Sequence, residues 1–407
     1  MLYGGAARRR HVNGKEPNQT LSNHQSAKTQ NNENRSRPRE KAVLVGLINV
    51  EDSDRDAEPL AELRALVETA GADVVAEITQ NRAGIDPSYY LGRGKIEEVG
   101  QAANALGAGL VIFDNDLSPG QVRNVERYVS CKVIDRSEVI MDIFATRART
   151  KMARLQVELA QLEYEMPRLK RMWTHLDRLD GGGIGTRGPG ERQLEVDRRL
   201  MGKRIRDLKR ELSQIEARQE RQVRSRRDFT TVSLVGYTNA GKSTLMNCLT
   251  GKDVFVEDKL FATLDTRTAL WELGAGEKAL LSDTVGFIRK LPHHLIASFK
   301  ATLEETRHAD LLLHVMDASD PDLNRHHEVV IDVLQEMGCG DKPRLCVLNK
   351  LDRVTDVTEL NILHSRLPET VEVSALTGEN LDGLRDKVVE FIDRGRSDIE
   401  VRFPSSD

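Results

Sequence analysis

Residues 236–243 read Gly236-Tyr237-Thr238-Asn239-Ala240-Gly241-Lys242-Ser243, and the rest of the chain is organised around them. The stretch has the form G-x-x-x-x-G-K-[ST] of a phosphate-binding P-loop. Thr231-Val232-Ser233-Leu234-Val235 precedes it and reads as a buried strand, while Thr244-Leu245-Met246-Asn247-Cys248-Leu249 follows and reads as the first turns of a helix. The two glycines let the backbone curl so that successive N–H groups point inward at a phosphate, and the helix N-terminus adds its partial positive charge. Lys242 then reaches the β- and γ-phosphates, and Ser243 is placed to hold a magnesium ion.

Three more motifs follow, each at the end of an apolar run. Lys278-Ala279-Leu280-Leu281-Ser282 reads as a strand that ends in Asp283-Thr284-Val285-Gly286, a D-x-x-G with its carboxylate near the magnesium and its glycine N–H near the γ-phosphate. Leu345-Cys346-Val347-Leu348 leads to Asn349-Lys350-Leu351-Asp352, the N-K-x-D that reads guanine. Asp352 accepts the N1–H and 2-amino hydrogens of the base, and the Lys350 stem covers it. Adenine offers neither donor and leaves a buried carboxylate unpaired, a mismatch costing on the order of 2–4 kcal/mol in favour of GTP over ATP. Val371-Glu372-Val373 leads to Ser374-Ala375-Leu376, where a backbone N–H meets the guanine O6. Four motifs in this order predict a GTPase domain.

Phe261-Ala262-Thr263-Leu264-Asp265 falls in the loop of a first switch, where Thr263 closes onto magnesium when the γ-phosphate is present; an ordinary loop threonine is the bland alternative. Lys242, Thr263 and Gly286 are the candidate catalytic groups, and Ser243 and Thr263 the candidate magnesium ligands. The residue after Gly286 is Phe287, which cannot hydrogen-bond an attacking water. Slow intrinsic hydrolysis is therefore expected, with the missing groups supplied by a partner or an ion. Asn239 is a candidate to hold a potassium ion beside the phosphates, as a similar asparagine does in some related GTPases; a turn-stabilising asparagine is the alternative.

The 407 residues suffice for two to three domains, and 39% hydrophobic with 30% charged residues fits a soluble protein. No run of 18 apolar residues and no apolar N-terminal segment occur, so neither stable membrane insertion nor secretion is expected. Cys131, Cys248, Cys339 and Cys346 are scattered and read as core thiols of a reducing cytosol. The net charge of -4 hides an asymmetry along the chain.

Residues 1–40 carry eight Lys/Arg against three Asp/Glu and few large apolar residues, and are expected to be a disordered basic tail. From Lys41 the pattern alternates: strands at Ala42–Ile48, Asp73–Thr79, Leu110–Asp114 and Lys132–Asp135, with helices carrying Leu60, Leu63, Leu66 and Val67, then Lys95–Leu106, then a third begun by the capping box of Ser118 to Gln121. Such alternation predicts an N-terminal α/β domain with a parallel sheet over 41–136. Leu91-Gly92-Arg93-Gly94-Lys95 reads either as a phosphate-holding turn or as a plain helix-start turn.

Over 137–227 the period becomes that of a coiled coil. Met152, Leu155, Leu159, Leu162, Met166 and Leu169 form one stripe, and Met201, Ile205, Leu208, Leu212 and Ile215 another, predicting a long antiparallel helical hairpin kinked at Pro167. Its tip, residues 181–191, holds six glycines in its first ten positions and invites a partner to order it. From Arg187 to Arg227 there are 14 Lys/Arg and 7 Asp/Glu, an excess that favours contact with RNA. Gln219 to Arg227 reads as a linker into the GTPase domain at 228–394, after which 395–407 form a short tail. His293-His294 and His326-His327 lack metal-ligand spacing and read as solvated helix positions.

Val133-Ile134-Asp135-Arg136, the run Asp142–Thr150, Leu155–Leu162, the glycine-rich Gly182–Glu191 and the P-loop together resemble the HflX family, over about residues 41–394. The resemblance implies a cytosolic GTPase, using magnesium, whose N-terminal and hairpin parts bind the large ribosomal subunit, both rRNA and ribosomal proteins, with the tip toward the peptidyl-transferase region. It implies a factor that splits or rescues stalled ribosomes under stress, and some members also hydrolyse ATP; a monomer is expected. Residues 1–40 lie outside the pattern, and the chain ends soon after Arg394, so the extra C-terminal domain of some members is expected to be absent or vestigial. Two rivals stand beside this reading. In one the N-terminal domain does its own chemistry, although residues 41–135 show no Ser/His/Asp set, metal cluster or carboxylate pair. In the other the chain is a GTP-sensing adaptor for a non-ribosomal protein.

Overall fold

The computed structural model describes residues 39–48, 58–169, 189–224, 229–251, 260–274, 276–291, 295, 304–354, 367 and 369–394. The tails at 1–38 and 395–407, most of the glycine-rich tip, and His293-His294 lie outside them.

Strands β1 (Lys41–Ile48), β2 (Asp73–Asn81), β3 (Leu110–Phe113) and β4 (Lys132–Asp135) form a sheet in the order β2-β1-β3-β4, every pairing parallel. Period two sorts its apolar residues to two covered faces. Ala42, Leu44, Ile112 and Ile134 meet helices α1 (Ala61–Ala70) and α4 (Arg136–Arg147), while Val43, Val45, Val111, Phe113 and Val133 meet α2 (Arg93–Leu106) and α3 (Pro119–Val129). The capping box at Ser118 forms as expected, and Asp135 caps α4 by accepting the Glu138 N–H at 3.1 Å. At the Leu91–Lys95 turn, Arg93 and Lys95 pair with Glu97 and Glu98 of their own helix. That is the helix-start turn.

Helix α4, grouped with the hairpin by its position after residue 136, instead buries Val139, Ile140, Met141, Ile143 and Phe144 against the N-terminal sheet and α1. The helical region proper starts with α5 (Lys151–Glu165), capped by Thr150 and ended at the 3-10 turn Met166–Arg168 that contains Pro167. Leu155 and Leu159 of α5 pack on Leu208 and Leu212 of α6 (Pro189–Arg224), so the two apolar stripes do meet.

The C-terminal sheet has the order β10-β9-β8-β5-β7-β6, built from β5 (Thr230–Val235), β6 (Arg267–Gly274), β7 (Glu277–Asp283), β8 (Leu311–Asp317), β9 (Arg344–Asn349) and β10 (Thr370–Glu372). All pairings are parallel except the antiparallel edge pair of β6 with β7. Helices α7 (Lys242–Thr250) and α10 (Leu381–Arg394) cover one face through Leu245, Met246, Leu384 and Val388; α9 (Leu323–Glu336) covers the other through Val330, Val333 and Leu334. A short α8 (Glu304–His308) lies between β7 and β8 in the chain.

One apolar core runs across the junction of the two sheets. Leu44 and Phe144 belong to the same buried cluster as Tyr237, Phe261 and Phe287, and the Phe144 and Phe261 rings meet edge to face at 4.7 Å. The N-terminal domain is thus packed onto the P-loop side of the GTPase domain and is not a bead on a linker. Among the described residues no helix is long and apolar enough to cross a membrane.

Candidate nucleotide site

The four motifs converge because parallel strands deliver their C-terminal ends to one edge, where open α/β sheets bind ligands. Residues 236–241 leave β5, Asp283 ends β7, Asn349 ends β9, and Val373-Ser374 follow β10. At the turn into α7, Gly241 has φ +90°, and a side chain there would run into the Asn349 amide. At Gly286 an added Cβ would stand 2.7 Å from Thr238 Cα and 3.0 Å from Lys242 Nζ. Gly241 therefore needs glycine for φ and close approach alike, and Gly286 for close approach.

Lys242 is buried, and its ammonium donates to the carbonyls of Gly236 (3.1 Å) and Tyr237 (2.8 Å). Burial pulls its pKa down to about 8, opposed by the charge of Asp283. Ser243 Oγ lies 2.7 Å from Thr263 Oγ1 and donates to Asp283 Oδ2 at 2.6 Å; Thr263 donates to the same oxygen at 3.1 Å. Thr263, the candidate first-switch threonine, is therefore folded in against Ser243, 20 residues from it in sequence. Asp283 is fully buried, its carboxyl pushed up by desolvation against the pull of Lys242, and its Oδ1 has no hydrogen-bond partner. An orphaned carboxylate oxygen beside two hydroxyls is a hard-oxygen donor set that fits Mg²⁺. A cavity of about 50 Å³ opens here, lined by Gly241, Lys242, Ser243, Thr263, Thr284 and Gly286 among others. A far larger cavity, about 650 Å³, lies at the opposite ends of the strands around Thr230, Arg344 and Arg394, where no motif residue stands.

One side chain joins the N-K-x-D motif to the P-loop and to the loop after β10. Asn349 donates its Nδ2 to Ala240 O and accepts the Ala375 N–H on Oδ1, both at 2.9 Å, with only 1% of its surface exposed. Asp352 accepts the Ser374 hydroxyl at 2.5 Å. Lys350 pairs with Asp317 at 2.7 Å in a left-handed backbone conformation, and Leu351 is half-buried beside it. Leu376 projects 73% exposed. The Ser374 and Ala375 N–H groups are committed to Glu379 O and to Asn349 Oδ1.

Other sequence-derived residues are turned elsewhere. The Asp265 carboxylate takes the N–H groups of Arg149 (3.1 Å) and Thr150 (3.2 Å) and the Thr150 hydroxyl, so it holds the start of α5. Phe261, Leu264 and Val285 are core residues, Ala262 is half-buried, and Thr284 donates to Leu234 O at 2.7 Å. Phe287 is buried, and its backbone pairs with Gly236 O and the Thr238 N–H. Asn239 is exposed, with φ +62°.

Two expectations need correction. His326 and His327 are not solvated: His326 stacks on Tyr237 at 3.7 Å and holds Asp320, and His327 stacks on buried His314 at 5.0 Å, because α9 turns this face to the sheet. Cys248 is not a core thiol; it is exposed on α7 and donates to Ala375 O at 2.8 Å. No motif in the sequence brings together Glu62, Asp114, Arg136, Arg289 and Lys290, whose charges meet beside Tyr237. No spacing rule could pair residues some 175 positions apart.

Strand ends bearing these motifs, in this order and this proximity, are those of a P-loop GTP-binding protein. Three family profiles match in succession: "GTP-binding GTPase N-terminal" over 57–145, "GTP-binding GTPase Middle Region" over 147–226 and "50S ribosome-binding GTPase" over 231–350. A GTPase HflX of Caldanaerobacter subterraneus subsp. tengcongensis is 46% identical over 371 residues, covering 91% of this chain and 84% of its own. One of Escherichia coli K12 is 46% identical over 368 residues, covering 90% and 86%. Among solved structures, a GTP-binding protein from Sulfolobus solfataricus in complex with GDP is similar at 26% identity and a TM-score of 0.44, covering 88% of this chain and all of that one. The chain belongs to the HflX family of GTPases.

Proposed function

We propose that this chain binds the large ribosomal subunit, hydrolyses GTP faster when bound, and so splits or rescues stalled ribosomes. The match of residues 231–350 to the 50S ribosome-binding GTPase family carries the reading. In its support, Phe287 stands buried where a water-orienting side chain is needed, so a bound partner has a catalytic part to supply.

In this reading Lys242 exchanges its two carbonyl contacts for the β- and γ-phosphates, and Asp352, kept in place by Ser374, selects guanine. Ser243, Thr263 and Asp283 would hold magnesium, which when bound neutralises charge on the phosphates. Thr263 and Gly286 would sense the γ-phosphate, and Asn239 would stand beside a potassium ion. The protein is a cytoplasmic monomer when off the ribosome. ATP is a poorer substrate, by the cost of an unpaired Asp352 carboxylate.

The exposed Arg198, Arg199 and Lys203 of α6 are suited to RNA phosphates. Co-sedimentation with purified large subunits in a non-hydrolysable GTP analogue should weaken about tenfold per doubling of salt if some four phosphates are engaged. Binding that ignores salt would instead mark an adaptor for protein.

A further inference from the structure

In the N-terminal sheet, β1 sends the chain to β2 on one side and pairs with β3 on the other, so the crevice beyond the carboxyl ends of β1 and β3 is the topological switch point. Open α/β sheets bind ligands there. Asp114 follows β3 in this crevice, its N–H on Val45 O at 2.9 Å. What fills the crevice is the segment just beyond the D-x-x-G of the other sheet. Lys290, in a left-handed conformation at φ +51°, places its ammonium on Asp114 Oδ2 and 3.3 Å from Asn115 Oδ1. Arg289 reaches Glu62 at 3.3 Å and gives its N–H to the Tyr237 hydroxyl at 2.9 Å, and that hydroxyl donates to Glu62. Arg136, only 2% exposed, ties the set together through Glu62, Asp114 (2.7 Å) and the Arg289 carbonyl (3.1 Å).

We infer that the ligand crevice of the N-terminal domain serves as a socket for this chain's own Arg289-Lys290, with Glu62, Asp114 and Arg136 as positioning residues for the γ-phosphate side of the nucleotide site. The inference rests on the GTP-binding reading. Gly286 lies three residues before Arg289 and against Lys242 and Thr238, so a held Arg289-Lys290 pre-sets the D-x-x-G. Only a nucleotide with a γ-phosphate gains from that pre-setting, so the socket favours GTP over GDP. By linkage, anything that lifts the N-terminal domain off this segment weakens GTP more than GDP.

The test is charge reversal at an exposed partner. Lys290, with 47% of its side chain exposed, tolerates substitution. Lys290→Glu is expected to lower the affinity for a non-hydrolysable GTP analogue about tenfold and to leave GDP within about twofold. Adding Asn115→Lys, which offers the new carboxylate a cation while Arg136 keeps Asp114, should restore most of the loss. Lys290→Ala should fall between wild type and Lys290→Glu. Equal weakening of both nucleotides, or no weakening of either, overturns the socket. A wild-type protein that binds neither guanine nucleotide overturns the site reading beneath it, and the GDP arm separates the two failures.

Discussion

Replacing Asn349 by alanine should damage the nucleotide site more than any other single truncation outside the P-loop. The side chain is 99% buried and makes one hydrogen bond to each of two loops: Ala240 O in the P-loop and the Ala375 N–H beyond β10. Alanine removes both partners and leaves a carbonyl and an N–H unsatisfied, each costing about 1–3 kcal/mol when buried. Taking about 1.5 kcal/mol for each, the pair amounts to about 3 kcal/mol, near a hundredfold in an equilibrium constant. Because the two loops hold different parts of one nucleotide, most of that loss should appear as affinity. Titration with a fluorescent GDP analogue measures it, and urea unfolding of the nucleotide-free protein measures the remainder. Asn349→Asp is a sharper control, since it keeps the acceptor for Ala375 but sets an oxygen against Ala240 O. It should bind no better than Asn349→Ala. Affinity within about threefold of wild type, with unchanged unfolding, would refute the idea that this amide couples the loops.

Two further predictions concern protons. The Lys242 amine, at a pKa of about 8 in the nucleotide-free site, regains a full charge beside phosphates, so GDP binding at pH 8 should take up about half a proton, and almost none at pH 6.5. Calorimetry in buffers of different ionisation enthalpy reads this directly, and no uptake at pH 8 counts against the buried ammonium. His314 is pushed down to about 3, first by burial and then by His327, Arg344 and Lys242, and neither ring nitrogen has a partner. A base harder to protonate folded than unfolded leaves stability intact above pH 6.5 and removes it as pH falls toward 3. At pH 5 the loss from this residue is about 2 kcal/mol, and His314→Leu should flatten the fall in the urea midpoint between pH 7 and 5; an unchanged slope would contradict it.

What was legible in the sequence was local. The P-loop, D-x-x-G, N-K-x-D and Ser374–Leu376 are each contiguous, and the apolar runs before them set the strands that bring them together. The capping box at Ser118 and the stripes through Leu155 and Leu208 are likewise short-range patterns. Strand β6 was missed although Ala269, Trp271 and Leu273 alternate inward, because its partner is the next strand by a hairpin while every neighbouring cue spoke of parallel pairing. The turning of Asp265 toward Thr150, 115 residues away, could not be read from spacing, since an aspartate next to a candidate switch threonine looks the same whichever way it faces. The same holds for Glu62 with Tyr237, and for the histidines of α9. The Glu62–Tyr237 contact depends on the N-terminal domain packing on the GTPase domain, and that packing is written in scattered apolar residues such as Phe144 and Phe261.

The most direct test of the account is GTP turnover with and without purified large ribosomal subunits, using Lys242→Ala as the blank. Slow turnover alone, raised about tenfold or more by the subunits and abolished in the variant, is the predicted result. Turnover indifferent to the subunits would contradict it and leave a GTP-binding protein whose partner is not the ribosome.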